Sequence, residues 1–194
     1  ARSDSSARAC SPLCASRLVE ARADKKRAKA KAAESRQDRA RRRALKTIPE
    51  LIAEAQHDFN RYVRLRDAGR GCISCGIPLQ LGGVGGGFDC GHFRSRGAAG
   101  HLRFHEDNAH GQCKRCNRRL AGNAGAYRVG LLDRIGPARL HALEADNAPH
   151  KWTRHELLAI RDEYRLKARQ LELRARTLPP PPPESCAHLG AYIV

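Results

Sequence analysis

The stretch GCISCGIPLQLGGVGGGFDCGHFRSRGAAGHLRFHEDNAHGQCKRCNRR, residues 71–119, decides the reading of this chain. It holds two C-x2-C pairs, Cys72-Ile-Ser-Cys75 and Cys113-Lys-Arg-Cys116, with 37 residues between them. Four thiolates presented by two such tight turns suit tetrahedral zinc, with Zn–S bonds of about 2.3 Å. A pair of disulfides is the alternative, but disulfides belong to oxidising compartments and no secretory segment opens the chain. Zinc also meets an energetic need. Aromatic residues are only 5% of the sequence, and a structural zinc supplies about 10–16 kcal/mol of folding free energy. Cys72, Cys75, Cys113 and Cys116 are read as a structural Zn2+ site, Cys90 as a small buried residue and Cys186 as incidental.

Between and beside the pairs stand His92 at the end of a short strand-like run, Asn108, and Asn117 directly behind Cys116. Phosphodiester hydrolysis needs a base for water, a cation to neutralise developing charge, and a group that holds the base. His92 has a suitable ordinary pKa for the base. Asn108 is expected to fix its ring, and Asn117 offers a carbonyl oxygen to a hard cation such as Mg2+ or Mn2+. Arg94, Arg96 and Arg103 lie along the same segment, and Lys114, Arg115, Arg118 and Arg119 surround the second pair. The guanidinium fork suits phosphate, so Arg94, Arg96, Arg103, Lys114 and Arg115 are the expected DNA contacts. His101 and His105 read as ordinary surface or zinc-proximal side chains. His110 is open between that role and a phosphate contact. The run Gly82–Gly87 lacks the Gly-Lys-Ser/Thr ending of a phosphate loop and reads as a hairpin loop.

Outward from this core, residues 71–123, the chain turns helical on both sides. Residues 47–70 form an amphipathic helix, begun by Thr47, Pro49 and Glu50, with Ile48, Leu51, Ile52, Ala55, Phe59 and Val63 at helical spacing as core. Residues 124–176 form a C-terminal helical part. Its first helices, Ala124–Ile135 and Pro137–Ala145, are divided by Gly136-Pro137, and its last opens at a Thr153/Glu156 capping box. That last helix turns Leu157, Leu158, Ile160, Tyr164 and Leu171 inward, onto the core or onto a second copy. Residues 177–194, with Pro179–Pro183, read as a disordered Pro-rich tail.

The charge has its own geography. The 194 residues carry 37 Lys and Arg against 20 Asp and Glu, a net +17, which points to a polyanion and first to nucleic acid. Residues 1–46 hold 15 of the cations and 5 of the acids, a net +10. From Arg17 to Lys46 good helix formers dominate and an apolar stripe is missing. This is a solvated helix or disordered arm suited to tracking phosphates. Cys10-Ser-Pro-Leu-Cys14 reads equally as half of a zinc ribbon whose first half lies upstream, or as two unpaired thiols. The absence of Met, even at position 1, is expected of a processed or truncated chain. The longest apolar run falls far short of the ~20 residues that cross a bilayer, so no membrane role is expected.

Cys72–Cys116 with Asn117 resembles the HNH, or ββα-metal, endonucleases braced by a treble-clef zinc. More narrowly, CISCG, GHFRSRGAA, LRFHEDNAHGQCKRCN, the GN…YR…L…RIG stretch and the late helix are similar to the phage NinG (Rap) recombination proteins, from about Ala55 to Leu171. The CSPLC motif and the basic helix behind it match that family's N-terminal region. The resemblance implies an α+β, mostly helical fold with a small zinc-braced treble-clef core flanked by helices. It implies a metal-dependent endonuclease encoded by a phage or prophage and working in the bacterial cytoplasm. The substrates implied are branched recombination intermediates such as Holliday junctions and D-loops, or DNA with single-stranded parts. A homodimer would suit a two-fold junction. In this family an H-N-N triplet takes the roles given above to His92, Asn108 and Asn117. Many HNH members carry an acidic metal ligand directly before the base. Here that position is Gly91, and Asp89 is the nearest carboxylate, a candidate second ligand. The rival reading is a non-catalytic zinc-finger module that binds DNA and uses His92 structurally.

Overall fold

A chain segment with no apolar stripe can still be helical if its residues are good helix formers and its first turn is capped. Helix α1, Pro12–Leu45, is built this way: Ser11 accepts a hydrogen bond from the Cys14 amide at 3.2 Å, Pro12 opens the helix, and no residue is buried. It belongs to a unit of its own, Ala1–Thr47, separate from Ile48–Val194. The computed structural model describes residues 11–82 and 86–177. Cys10 and the proposed ribbon pairing, the tip of the Gly82–Gly87 loop and the Pro-rich tail lie outside the described residues.

In the second unit, helix α2, Ile48–Arg66, buries Leu51, Ala55, Phe59 and Val63. Ile48 is 38% exposed rather than part of the core, because the buried face begins one turn later at Leu51. Helix α4, Arg154–Thr177, lies against α2 and buries Leu157, Tyr164 and Ala168. Its capping box is formed, the Thr153 amide donating to Glu156 at 2.8 Å and the Glu156 amide to Thr153 Oγ1 at 3.3 Å. The Phe59 ring meets Tyr164 edge-on at 4.8 Å between centroids, and Arg165 pairs with the buried Asp58 at 2.7 Å. Leu158 and Ile160 pack at the margin of this core. The late helix therefore spends its apolar face within its own chain.

Strands β1, Asp89–His92, and β2, Ala109–Gln112, pair antiparallel with Asp89 opposite Gln112 and His92 opposite Ala109. The return between them is one long loop containing two single-turn 3-10 helices. Helix α3, Ala124–Ala145, is two helical segments broken at Gly136, which takes the non-helical φ 79° and ψ 168° ahead of Pro137, the division its sequence foretells. It closes a second core of Ile73, Leu102, Tyr127, Leu131, Leu140 and Leu143. At Gly130 a Cβ would lie 1.9 Å from the Ile73 carbonyl oxygen, so only glycine lets α3 approach the first cysteine turn this closely. The result is a mostly helical α+β arrangement with a two-stranded sheet among the described residues.

Candidate functional site

The cysteine turns at residues 72–75 and 113–116 meet. The four Sγ atoms of Cys72, Cys75, Cys113 and Cys116 lie within 4.8 Å of one another, and Cys75 and Cys113 are 3.7 Å apart. A tetrahedron with ~2.3 Å Zn–S bonds has edges of about 3.8 Å, so this donor set fits zinc. Backbone amides support it: Cys113 N–H donates to Cys72 Sγ at 3.3 Å and Cys116 N–H to Cys113 Sγ at 3.4 Å. Burial opposes ionisation at Cys72, but amide bonds from Cys113, Ser74 and Cys75 outweigh it and hold its pKa below that of an ordinary thiol. Burial and the neighbouring thiols push Cys116 up to about 12, a penalty that a divalent cation among the sulfurs would reverse. Cys90 lies outside the cluster and packs against the α2–α4 core, where burial raises it to about 12.

His92 ends β1 on the face that turns toward Phe59, with ring centroids 6.1 Å apart. Its Nε2 donates to the Arg103 carbonyl at 3.0 Å. The Cys90 backbone also bonds the ring and, like the Arg103 carbonyl, favours its protonated form. Burial, with the nearby Arg96 and Arg103 charges, lowers its pKa to about 4. At neutral pH the ring is therefore uncharged, and the Arg103 carbonyl fixes its orientation.

That assignment corrects the role expected of Asn108, which forms no hydrogen bond to the His92 ring. Asn108 is fully buried and clamps the chain immediately after His92. Its Oδ1 accepts from the Arg94 amide at 2.8 Å, its Nδ2 donates to the Arg94 and Leu102 carbonyls at 3.0 and 3.1 Å, and its own carbonyl accepts from the Phe93 amide at 2.8 Å. It shapes the loop that carries Arg103, and through Arg103 it acts on the ring.

Asn117 sits in the single turn behind Cys116 and donates from Nδ2 to Asp89 Oδ2 at 2.9 Å. Arg118 closes the rest of that carboxylate with two bonds of 2.7 Å. Burial would raise the Asp89 pKa, but Arg118 and Asn117 hold it below the usual carboxylate range. Asp89 is three residues from His92 on the opposite face of β1, about 10 Å along the strand. As a direct cation ligand beside His92 it does not fit. Asn117, bonded to that carboxylate, lies beside Asp89, and among the described residues it makes no hydrogen bond to the His92 ring. An acid at position 91 is excluded as well. A Cβ on Gly91 would lie 2.3 Å from Gln112 Oε1, and Gln112 is fully buried with Nε2 bonded to Ser74 and to the Gly122 carbonyl.

The cationic residues separate into groups. Arg94 turns away from the site and caps the end of α3, donating to the Leu143 carbonyl at 3.2 Å, to the Asp146 carbonyl and to Asn147 Oδ1. This removes it from the DNA-contact set. Arg96 is exposed, and Arg103 keeps a buried Nε with no hydrogen-bond partner. Arg115 is exposed and Lys114 half-buried beside the second cysteine turn. His101 bonds the Asp146 carbonyl at 2.9 Å, and the exposed His105 caps the second 3-10 turn.

His110 is structural. It is 4% exposed, its Nδ1 accepts from Arg66 at 3.2 Å, and its Nε2 donates to the Asp107 carbonyl at 3.2 Å. It belongs to a network missed at the level of sequence, in which the fully buried Asp67 takes two bonds from Arg66 and one from the Gly111 amide at 2.7 Å. Glu106 was missed too. It joins Tyr62, Tyr164 and Lys167, at 2.8, 3.3 and 2.8 Å respectively. Glu106 lies 44 to 61 residues from these partners and Asp67 lies 44 from Gly111, separations that no local pattern reports.

Comparison with known proteins adds a family. The sequence model described as "Bacteriophage Lambda NinG protein" matches residues 2–174. "Protein ninG" of Salmonella phage P22 is 39% identical over 173 residues, covering 84% of this chain and 83% of its own. "Protein ninG" of Escherichia phage lambda is 38% identical over 173 residues, covering 84% and 82%. No solved structure matches.

Proposed function

The chain belongs to the NinG family of phage proteins, and on that footing we propose that it is an endonuclease that cuts branched DNA during phage recombination. The observation that carries this reading is His92: a neutral imidazole at a strand end, its Nε2 bound to the Arg103 carbonyl, with Arg96 and Arg103 beside it. Polyanion binding alone requires cations, whereas a buried uncharged histidine among arginines suits proton transfer.

In this mechanism the neutral His92 ring, exchanging one of its backbone partners for water, takes a proton from that water as the water oxygen bonds to phosphorus. The bond from phosphorus to the leaving sugar oxygen breaks, and that oxygen is protonated from solvent. Arg96 and Arg103 bind the phosphate oxygens, and Arg103 has a buried N–H still to be satisfied. Asn108 holds the loop in register. A structural zinc on Cys72, Cys75, Cys113 and Cys116 would fasten the second cysteine turn, and with it Asn117, to the sheet. Mg2+ or Mn2+ held by Asn117 would neutralise charge on the phosphate. This arrangement is the reading in which the core is a treble-clef, HNH-like fold. The substrate would be a four-way junction or D-loop inside the host cell, met by one chain or by a homodimer. Among the described residues no helix is long and apolar enough to cross a membrane.

The test is cleavage of a labelled four-way junction with Mg2+ or Mn2+, with cut positions mapped on each strand. Symmetric nicks near the branch support the proposal. Tight junction binding without any cut, under both metals, would leave a zinc-braced DNA-binding module instead.

A further inference from the structure

The cations of α1 lie all around it, but its acids do not, and on the side they leave free runs an unbroken basic stripe. Arg22, Lys25, Lys29, Arg36 and Arg43 follow one another at intervals of three, four, seven and seven residues. At about 100° per residue they fall within roughly 60° of the helix circumference. All four acids of the helix, Glu20, Asp24, Glu34 and Asp38, fall within about 80° on the opposite side. There Asp24 pairs with Arg27 at 2.8 Å. Arg22, Lys25, Lys29 and Arg36 have no acid three or four positions away, the spacing at which helical ion pairs form.

We propose that this face of α1 is a docking surface for the phosphate backbone of duplex DNA. The five side chains are exposed, and Arg22 to Arg43 spans about 32 Å at 1.5 Å per residue, close to the ~34 Å of one duplex turn. A membrane surface is the other polyanion to consider, but helices that lie on bilayers need an apolar face. Between Glu20 and Ala44 the apolar residues of α1 are all alanine. The sidedness also separates this surface from a simple solubilising charge, which has no reason to exclude acids from one face. The inference rests on DNA being the partner, and it assigns α1 a grip on the duplex backbone.

The experiment compares two charge-matched variants of the full chain, each losing three cations from an otherwise intact helix. The stripe variant is Arg22→Gln, Lys29→Gln, Arg36→Gln. The control, on the acidic side, is Arg27→Gln, Lys31→Gln, Arg41→Gln. Binding of a 30-base-pair duplex is followed by fluorescence anisotropy across a salt series without added divalent cation, and circular dichroism checks that helix content is kept. The wild-type slope of log K against log[salt] should fall in magnitude by about 2.7 in the stripe variant, 0.9 for each lost phosphate contact, and by less than about 1 in the control. Equal losses in both variants, or no loss in either, would overturn the stripe. So would a stripe variant that loses binding to phosphatidylserine vesicles but keeps its duplex slope. A wild type with no salt-dependent DNA affinity would instead remove the DNA reading beneath it.

Discussion

Asn117 donates from Nδ2 to Asp89 Oδ2 at 2.9 Å, and that bond turns the carboxamide oxygen of Asn117 away from the carboxylate. Arg118 in turn holds Asp89 by both oxygens. If Asn117 holds the proposed cation, Asp89 is the outer partner that orients it, and loss of such partners costs 10–100-fold in affinity or activity. Asp89→Ala should weaken Mn2+ binding and junction cleavage by about that factor while duplex affinity changes little. Mn2+ titration followed by electron paramagnetic resonance checks the first, and unchanged Mn2+ affinity would rule the arrangement out.

Acid should act through two histidines. His92 and His110 both have folded-state pKa values lowered to about 4, chiefly by burial. Above the unfolded value of about 6.5 both states are neutral and these rings add no pH dependence. As pH falls from about 6.5 to about 4, the unfolded chain binds protons that the folded chain refuses, so stability declines, by on the order of 2–3 kcal/mol per ring. Urea unfolding at a series of pH values should show this decline, with a shallower slope for His110→Gln. The same shift should place the acid limb of kcat/KM well below pH 6.5.

Zinc removal should unfold the second unit. Loss of a structural site worth about 10–16 kcal/mol exceeds the whole stability of an ordinary domain. Cys113→Ser, or treatment with a strong chelator, should abolish the cooperative thermal transition. Metal analysis of purified protein should find one tightly held zinc per chain, and finding none would contradict the site.

Asn108→Ala should cost about 2–4 kcal/mol, because a buried carboxamide with three side-chain bonds disappears and the Arg94 amide loses its acceptor. A drop in the urea midpoint at unchanged m-value would measure it. Gly91→Ala should cost about 1–3 kcal/mol through overlap with Gln112. Gln112→Ala in the same chain should recover part of that cost.

Periodicity and spacing carried much of this structure. The buried face of α2 from Leu51 to Val63, the Thr153/Glu156 box and the kink at Gly136 are local events, governed by residues three or four apart, and all stand in the fold. The four cysteines were legible because zinc chemistry constrains their spacing in advance. Arg94 was not. Its charge and its place two residues past His92 suit phosphate equally well, and only the approach of the α3 terminus, about fifty residues later, shows that it is a helix cap. The target of Asn108 was not legible, since the His92 ring and the loop backbone compete for an amide at the same position. Gln112 against Gly91 is a contact across the sheet, set by register and invisible to pattern.

The central claim is that His92 transfers the proton of an attacking water. The most direct measurement is single-turnover cleavage of a four-way junction by wild type and by His92→Ala, with junction affinity measured alongside. The account predicts that cutting falls by about 100-fold or more while affinity and zinc content stay unchanged. Equal cleavage rates in the two proteins would contradict it.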